Sequence, residues 1–101
     1  MYQERLSKHA QRRRQQRGVP NTLVTAILDH HDVEIEARGG CRVLRVSRKQ
    51  AESLGRDPAL RQDSSRLPGI ALVYSDTTGE VVTVLRDRPG RRGRAYRRGR
   101  R

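Results

Sequence analysis

His9, Arg13 and Arg17 recur at i, i+4 and i+8, the spacing that stacks side chains one above another on a single helix face. Imidazole is the side chain that moves protons near neutral pH. Guanidinium forks bind phosphate oxygens two at a time and do not themselves act as acids. A histidine followed by two arginines at this spacing therefore points to chemistry on a phosphodiester, with one group to take or give a proton and two to hold developing charge. Leu6 and Ala10 fall on nearly the same side, with Arg13 and Arg17 within roughly 20° of Leu6 at ~100° per residue. The stripe that should face the core thus continues into two arginines, and such breaks in pattern concentrate at functional or strained sites. The structural alternative is that both arginines snorkel, or pair with the acids Glu34 and Glu36.

The element that carries these residues is bounded by its own sequence. Ser7 suits an N-cap and Gly18 a C′ stop, so SKHAQRRRQQRG reads as one helix. Pro20 and Asn21 open a second helix whose apolar face is Leu23, Val24, Ala26, Ile27 and Leu28. Val33, Ile35 and Ala37 alternate with Glu34, Glu36 and Arg38, the pattern of a half-buried strand. Gly39-Gly40 predicts a two-residue hairpin into a second strand, Cys41 to Val46. Ser47 can cap a short helix from Arg48 to Leu54, stopped by Gly55. Arg56 to Pro68 has no period and reads as surface loop. Ile70 to Tyr74 is a continuous apolar run, the mark of a central strand, and EVVTVLR (Glu80 to Arg86) returns antiparallel to it across a turn at residues 75–79. The fold class predicted is α+β: two N-terminal helices on one face of a four-stranded antiparallel sheet, with a short helix between the hairpins.

Charge divides the chain in two. The net charge is +12 over 101 residues, and residues 88–101 hold 8 arginines and no acid. The other 87 residues carry 15 basic and 11 acidic side chains, or +4. The expected organisation is a domain over residues 1–87 and an Arg-rich tail over 88–101, where Pro89 and three glycines leave nothing to pack. Arg91, Arg92, Arg94, Arg97 and Arg98 would bind a polyanion without reading its sequence. Nucleic acid is preferred to a membrane surface as the partner, because no apolar face accompanies the charge. Arg outnumbers Lys by 21 to 2, a bias that suits phosphate forks and that a GC-rich genome also produces. A single cysteine, Cys41, excludes an internal disulfide framework and fits a reducing compartment. No charged-then-apolar leader and no long apolar run is present, so the expectation is a soluble, cytoplasmic protein.

Other candidate ligands are weaker. Asp29-His30-His31-Asp32 has metal-type side chains, but neighbours on a helix point about 100° apart, so no metal or other cofactor is expected. Histidines at a helix C-terminus have a dipole explanation.

The string His9-Ala10-x-x-Arg13-x-x-x-Arg17-Gly18-Val19, a following helix and a last hairpin ending Val82-Thr83-Val84-Leu85-Arg86 resemble a bacterial family of unknown function with a RelE-like fold. That family belongs to the barnase–EndoU–colicin–RelE superfamily of metal-independent ribonucleases, many of them toxins. The resemblance spans residues 5–87, and its specific parts are the first helix and the last strand. It implies a site of His9, Arg13, Arg17 and Thr83, the last holding a phosphate oxygen. Arg14 departs from the pattern, standing where an apolar residue is usual. Arg42 and Arg45 would add phosphate contacts, and Tyr74 would stack a base or donate a proton. The expected function is a toxin-type ribonuclease that binds RNA or the ribosome, with an antitoxin as a possible protein partner. The alternative is a non-catalytic module binding RNA, a ribosome or a nucleoprotein on the same fold.

Overall fold

In the computed structural model, which describes residues 2–86, Ser7 begins the first helix as its side chain predicts. Its Oγ accepts the Ala10 amide at 3.0 Å, and helix α1 runs over Lys8–Gln16. At the other end Gly18, at φ 63°, lets the chain reverse. Val19 N donates to Arg14 O at 2.9 Å and Gly18 N to Gln15 O at 3.2 Å, the two reverse bonds of a Schellman ending. Helix α2 (Asn21–His30) follows and buries Leu23, Val24 and Ile27 completely.

Four strands then form a meander: β1 (Val33–Ala37), β2 (Cys41–Arg45), β3 (Ile70–Ser75) and β4 (Glu80–Arg86), ordered β1-β2-β3-β4 with every neighbour antiparallel. Helix α3 (Arg48–Leu54), capped by Ser47 Oγ on Gln50 N, stands between β2 and β3. The α+β architecture predicted from the apolar patterning is therefore the one observed. Strand alternation sends Leu44, Leu72 and Val84 to the side where they meet Ala10, Leu23 and Ile27, and there the core forms. β3 is buried along most of its length, as its continuous apolar run requires.

Three local readings change. The pairing of Ala37 with Cys41 leaves a three-residue loop, Arg38–Gly40, rather than a two-residue one, with both glycines at positive φ. The stretch read as surface loop contains a 3-10 segment, Ser64–Gly69, with Leu67 1% exposed against the core and Leu60 packed beside it. Tertiary burial of single leucines, not periodicity, organises this stretch. Gly55 permits it to come close to α3, because a Cβ there would stand 2.9 Å from Ser64 Oγ. Finally, β4 is not regular. Val73 faces Thr83 but Tyr74 faces Val81, so Val82 is an extra residue. This bulge is what allows Val81 and Val84 to face the core together.

The outer edge of β4 is covered. Leu6 pairs in parallel with Val81, through Ser7 N to Val81 O at 2.9 Å and Val81 N to Arg5 O at 2.7 Å. Residues 5–7 thus protect the strand edge and fix where α1 starts against β4.

Candidate nucleic-acid interface

The chain leaving α1 presents three consecutive carbonyls, those of residues 17–19, and arginines from three different elements donate to them. Arg14 Nη1 of α1 donates to Val19 O at 3.1 Å. Arg66 Nη2, from the 3-10 segment, donates to Gly18 O at 2.8 Å. Arg86 Nη1, the last residue of β4, donates to Arg17 O at 3.0 Å. Three consecutive carbonyls thereby gather three guanidiniums at one corner of the molecule.

Arg17 and Arg13 complete the group. Arg17 is half-buried, and its Nε is fully buried with no hydrogen-bond partner among the described residues. Arg13 donates from Nε to His9 Nε2 at a long 3.5 Å and from Nη1 to Gln16 Oε1 at 3.3 Å. The remaining bond of Arg14, to Gln11 Oε1, also ends on a neutral acceptor. None of these five arginines joins the ion pairs found among the described residues, which are His31–Glu34, Glu34–Arg42 and Arg42–Asp76. Guanidiniums held by carbonyls and amides keep their whole positive charge, and each has N–H donors to spare. They are also already ordered, so a phosphate that binds them pays less side-chain entropy.

The residues expected to form the site are distributed unevenly over this geometry. Arg13 and Arg17 stand at the end of α1 that precedes the three carbonyls, and neither pairs with Glu34 or Glu36. His9 is exposed one turn before Arg13. Thr83 is not on the same side. It pairs with Val73 on the sheet face opposite the one where Val84 meets Ala10. Arg42 lies at the far end of the sheet, clamped between Asp76 Oδ2 at 2.8 Å and Glu34 Oε1 at 3.1 Å. Those hydrogen bonds, to Asp76 first and Glu34 second, hold its guanidinium still further into the charged form. Arg45 is 3% exposed and its Nη2 donates to Pro68 O at 2.6 Å. Tyr74 is 5% exposed, its hydroxyl accepting from Gln3 N and its ring meeting Tyr2 edge-on at 4.7 Å. With no ring face free, Tyr74 packs the core rather than a base. Arg91, Arg92, Arg94, Arg97 and Arg98 lie outside the described residues.

His31 is likewise engaged. Its Nδ1 donates to Ile27 O at 3.1 Å and its Nε2 lies 2.9 Å from Glu34 Oε2. That bond is the main cause that holds the Glu34 carboxyl below its ordinary range. Burial and a hydrogen bond with Glu34 push the Tyr2 hydroxyl upward.

The arginines that sequence reasoning missed are Arg14, Arg66 and Arg86. Arg14 carried one signal, a charge where the resemblance leads one to expect an apolar side chain. Arg66 and Arg86 reach their carbonyls across 48 and 69 residues, and no local pattern encodes contacts at that separation. No family model matches the chain, and the comparisons with curated proteins and with solved structures find no match either.

Proposed function

We propose that this protein binds RNA through its phosphate backbone, using Arg13, Arg14, Arg17, Arg66 and Arg86. The observation that carries this reading is the convergence of Arg14, Arg66 and Arg86 on the carbonyls of residues 17–19, each charge held by a neutral acceptor. A cluster of guanidiniums with no acidic partner among the described residues is what a polyanion displaces counterions to reach. RNA is preferred to DNA on the resemblance of the first helix and last strand to RelE-like ribonucleases. The test is binding of a labelled single-stranded RNA over a salt series, wild type against Arg13→Gln/Arg17→Gln. The double variant should bind more weakly, and its log–log salt slope should be shallower by about 1.4, at ~0.7 per phosphate contact. Unchanged affinity and slope would remove the arginine group from the interface. A duplex DNA bound as tightly as RNA would overturn the preference for RNA.

A second reading, metal-independent RNA cleavage, is favoured by the contact of Arg13 Nε with His9 Nε2. It sets a proton-transfer side chain beside a phosphate-binding cation. Against it, Thr83 is on the other sheet face, so the group of four expected from the resemblance is not assembled. Incubating wild type and His9→Ala with total RNA in EDTA separates the readings. An enzyme should cleave, and the variant should lose about 10²-fold or more. A binder should leave the RNA intact in both cases.

A further inference from the structure

The 3-10 segment that sends Arg66 to Gly18 O also forms one wall of a cavity of about 500 Å³, with α3 as the other wall. That volume is within the range of small-ligand sites, roughly 300–1,000 Å³. Arg48, Glu52, Ser64, Ser65, Pro68 and Gly69 line it. Two features of the lining stand out.

Arg48 and Glu52 are one turn apart on α3, at the i, i+4 spacing where opposite charges usually meet. Here no ion pair joins them, and neither side chain makes any other hydrogen bond or ion pair within the described residues. Two unpaired, opposite charges therefore face one opening. The second feature is the rest of the lining, where Pro68 and Gly69 add apolar surface beside Ser64 and Ser65.

The geometry points to a guanine-accepting site at this cavity, an inference that rests on the RNA-binding reading and adds base preference to it. Guanine is the one RNA base with two adjacent donors on one edge, N1–H and N2–H, and two adjacent acceptors on the next, O6 and N7. A carboxylate accepts from the first pair, and an arginine fork donates to the second. Adenine, cytosine and uracil each put an acceptor beside the donor that Glu52 would meet, where carboxylate and lone pair repel. Pro68 supports the ring face, the Ser65 hydroxyl donates or accepts at the rim, and that of Ser64, which donates to Arg61 O, accepts there. A smaller cavity of about 220 Å³ shares Arg48 and Pro68 with the first and gives the sugar room to leave. Arg66, which donates to Gly18 O, belongs to the same short segment, which links the arginine group to the cavity wall.

Gly69 makes the test clean, since a Cβ added there meets nothing within 4 Å and its backbone is not left-handed. Gly69→Leu should occupy the cavity without displacing the fold, and Glu52→Gln should remove the acceptor charge while keeping size. Binding is measured by fluorescence anisotropy for an adenine-only single-stranded RNA and for the same strand with one central guanine. Wild type should bind the guanine-containing strand about tenfold more tightly. Each variant should lose that preference and keep its affinity for the adenine-only strand. Equal binding of both strands by wild type, or a preference that survives both substitutions, would overturn the site and leave RNA binding intact. If neither strand binds, the RNA reading falls and 5′-GMP decides the site. Amide shifts at Glu52, Ser65 and Gly69 with 5′-GMP but not with 5′-CMP would uphold it, and no shifts would overturn it.

Discussion

Arg17 is the residue whose placement costs most and explains most. Burying its Nε without a partner carries a desolvation penalty of about 1–3 kcal/mol, and a chain selected for stability alone would keep only the apolar stem. Arg17→Met should therefore melt at the same temperature as wild type or higher, while its RNA binding weakens and its salt slope falls by about 0.7. A marked loss of thermal stability would mean that Arg17 packs the core rather than serving a ligand. Glu34 behaves in the opposite way. Its hydrogen bond with His31, and then those with Tyr2 and Arg42, lower its pKa and so favour its ionised form in the folded state. A carboxyl with a lowered folded value contributes stability above its unfolded value and loses it as pH falls through the folded one. Glu34→Gln should thus be less stable than wild type at neutral pH, by under about 1 kcal/mol because the side chain is partly solvated. The two proteins should converge in urea titrations carried into the acid range.

At the scale of the elements, α1 is held by its two ends. Ser7 caps it, bonds β4 through Oγ to Val82 O at 3.3 Å, and pairs with Val81 through its amide. Gly18 ends it at a φ that other residues reach only with strain. Gly18→Ala should cost about 1 kcal/mol. It should also weaken RNA binding by more than that loss of folded protein explains, because the carbonyls that hold Arg14, Arg66 and Arg86 follow directly from this turn. Melting and binding measured on the same sample separate the two effects. Affinity that merely tracks the folded fraction would show that the turn does not order the arginines.

Across the whole molecule the charges are segregated. Asp29, Asp32, Glu34 and Glu36 fall within residues 29–37, which contain no Lys or Arg. The strand order places β1 at one edge of the sheet and β4, with Arg86, at the other. The body is thus acidic along one edge and basic at the opposite corner, a distribution that orients an approaching polyanion. Arg86 stands at the basic corner, and the eight arginines of residues 88–101 follow it in sequence. Deleting residues 88–101 should weaken RNA binding and flatten its salt slope by up to about 5.6, at ~0.7 for each of eight arginines, while the arginine group of the body retains a residual salt dependence. A slope unchanged by the deletion would show that the body alone makes the phosphate contacts.

The sequence by itself determined the features that depend on neighbours within a few residues. Ser7 and Gly18 bound α1 because capping and left-handed geometry are local demands. The alternation in β1 and the apolar run in β3 placed those strands because burial follows their period. The i, i+4, i+8 recurrence singled out Arg13 and Arg17, which the structure places at the C-terminal end of α1. Tertiary structure alone decided the rest. Arg66 and Arg86 join the site through carbonyls 48 and 69 residues away. The extra residue at Val82 changes which side chains of β4 face the core, and Thr83 lies on the sheet face away from α1. Arg45 reads as a phosphate contact in the sequence and is buried in the fold, while Tyr74, at the end of the apolar run of β3, is buried as that run requires. A side chain's type states what chemistry it can do. Which chemistry it does depends on the partners that distant segments bring to it, and those partners leave no periodic trace in the chain.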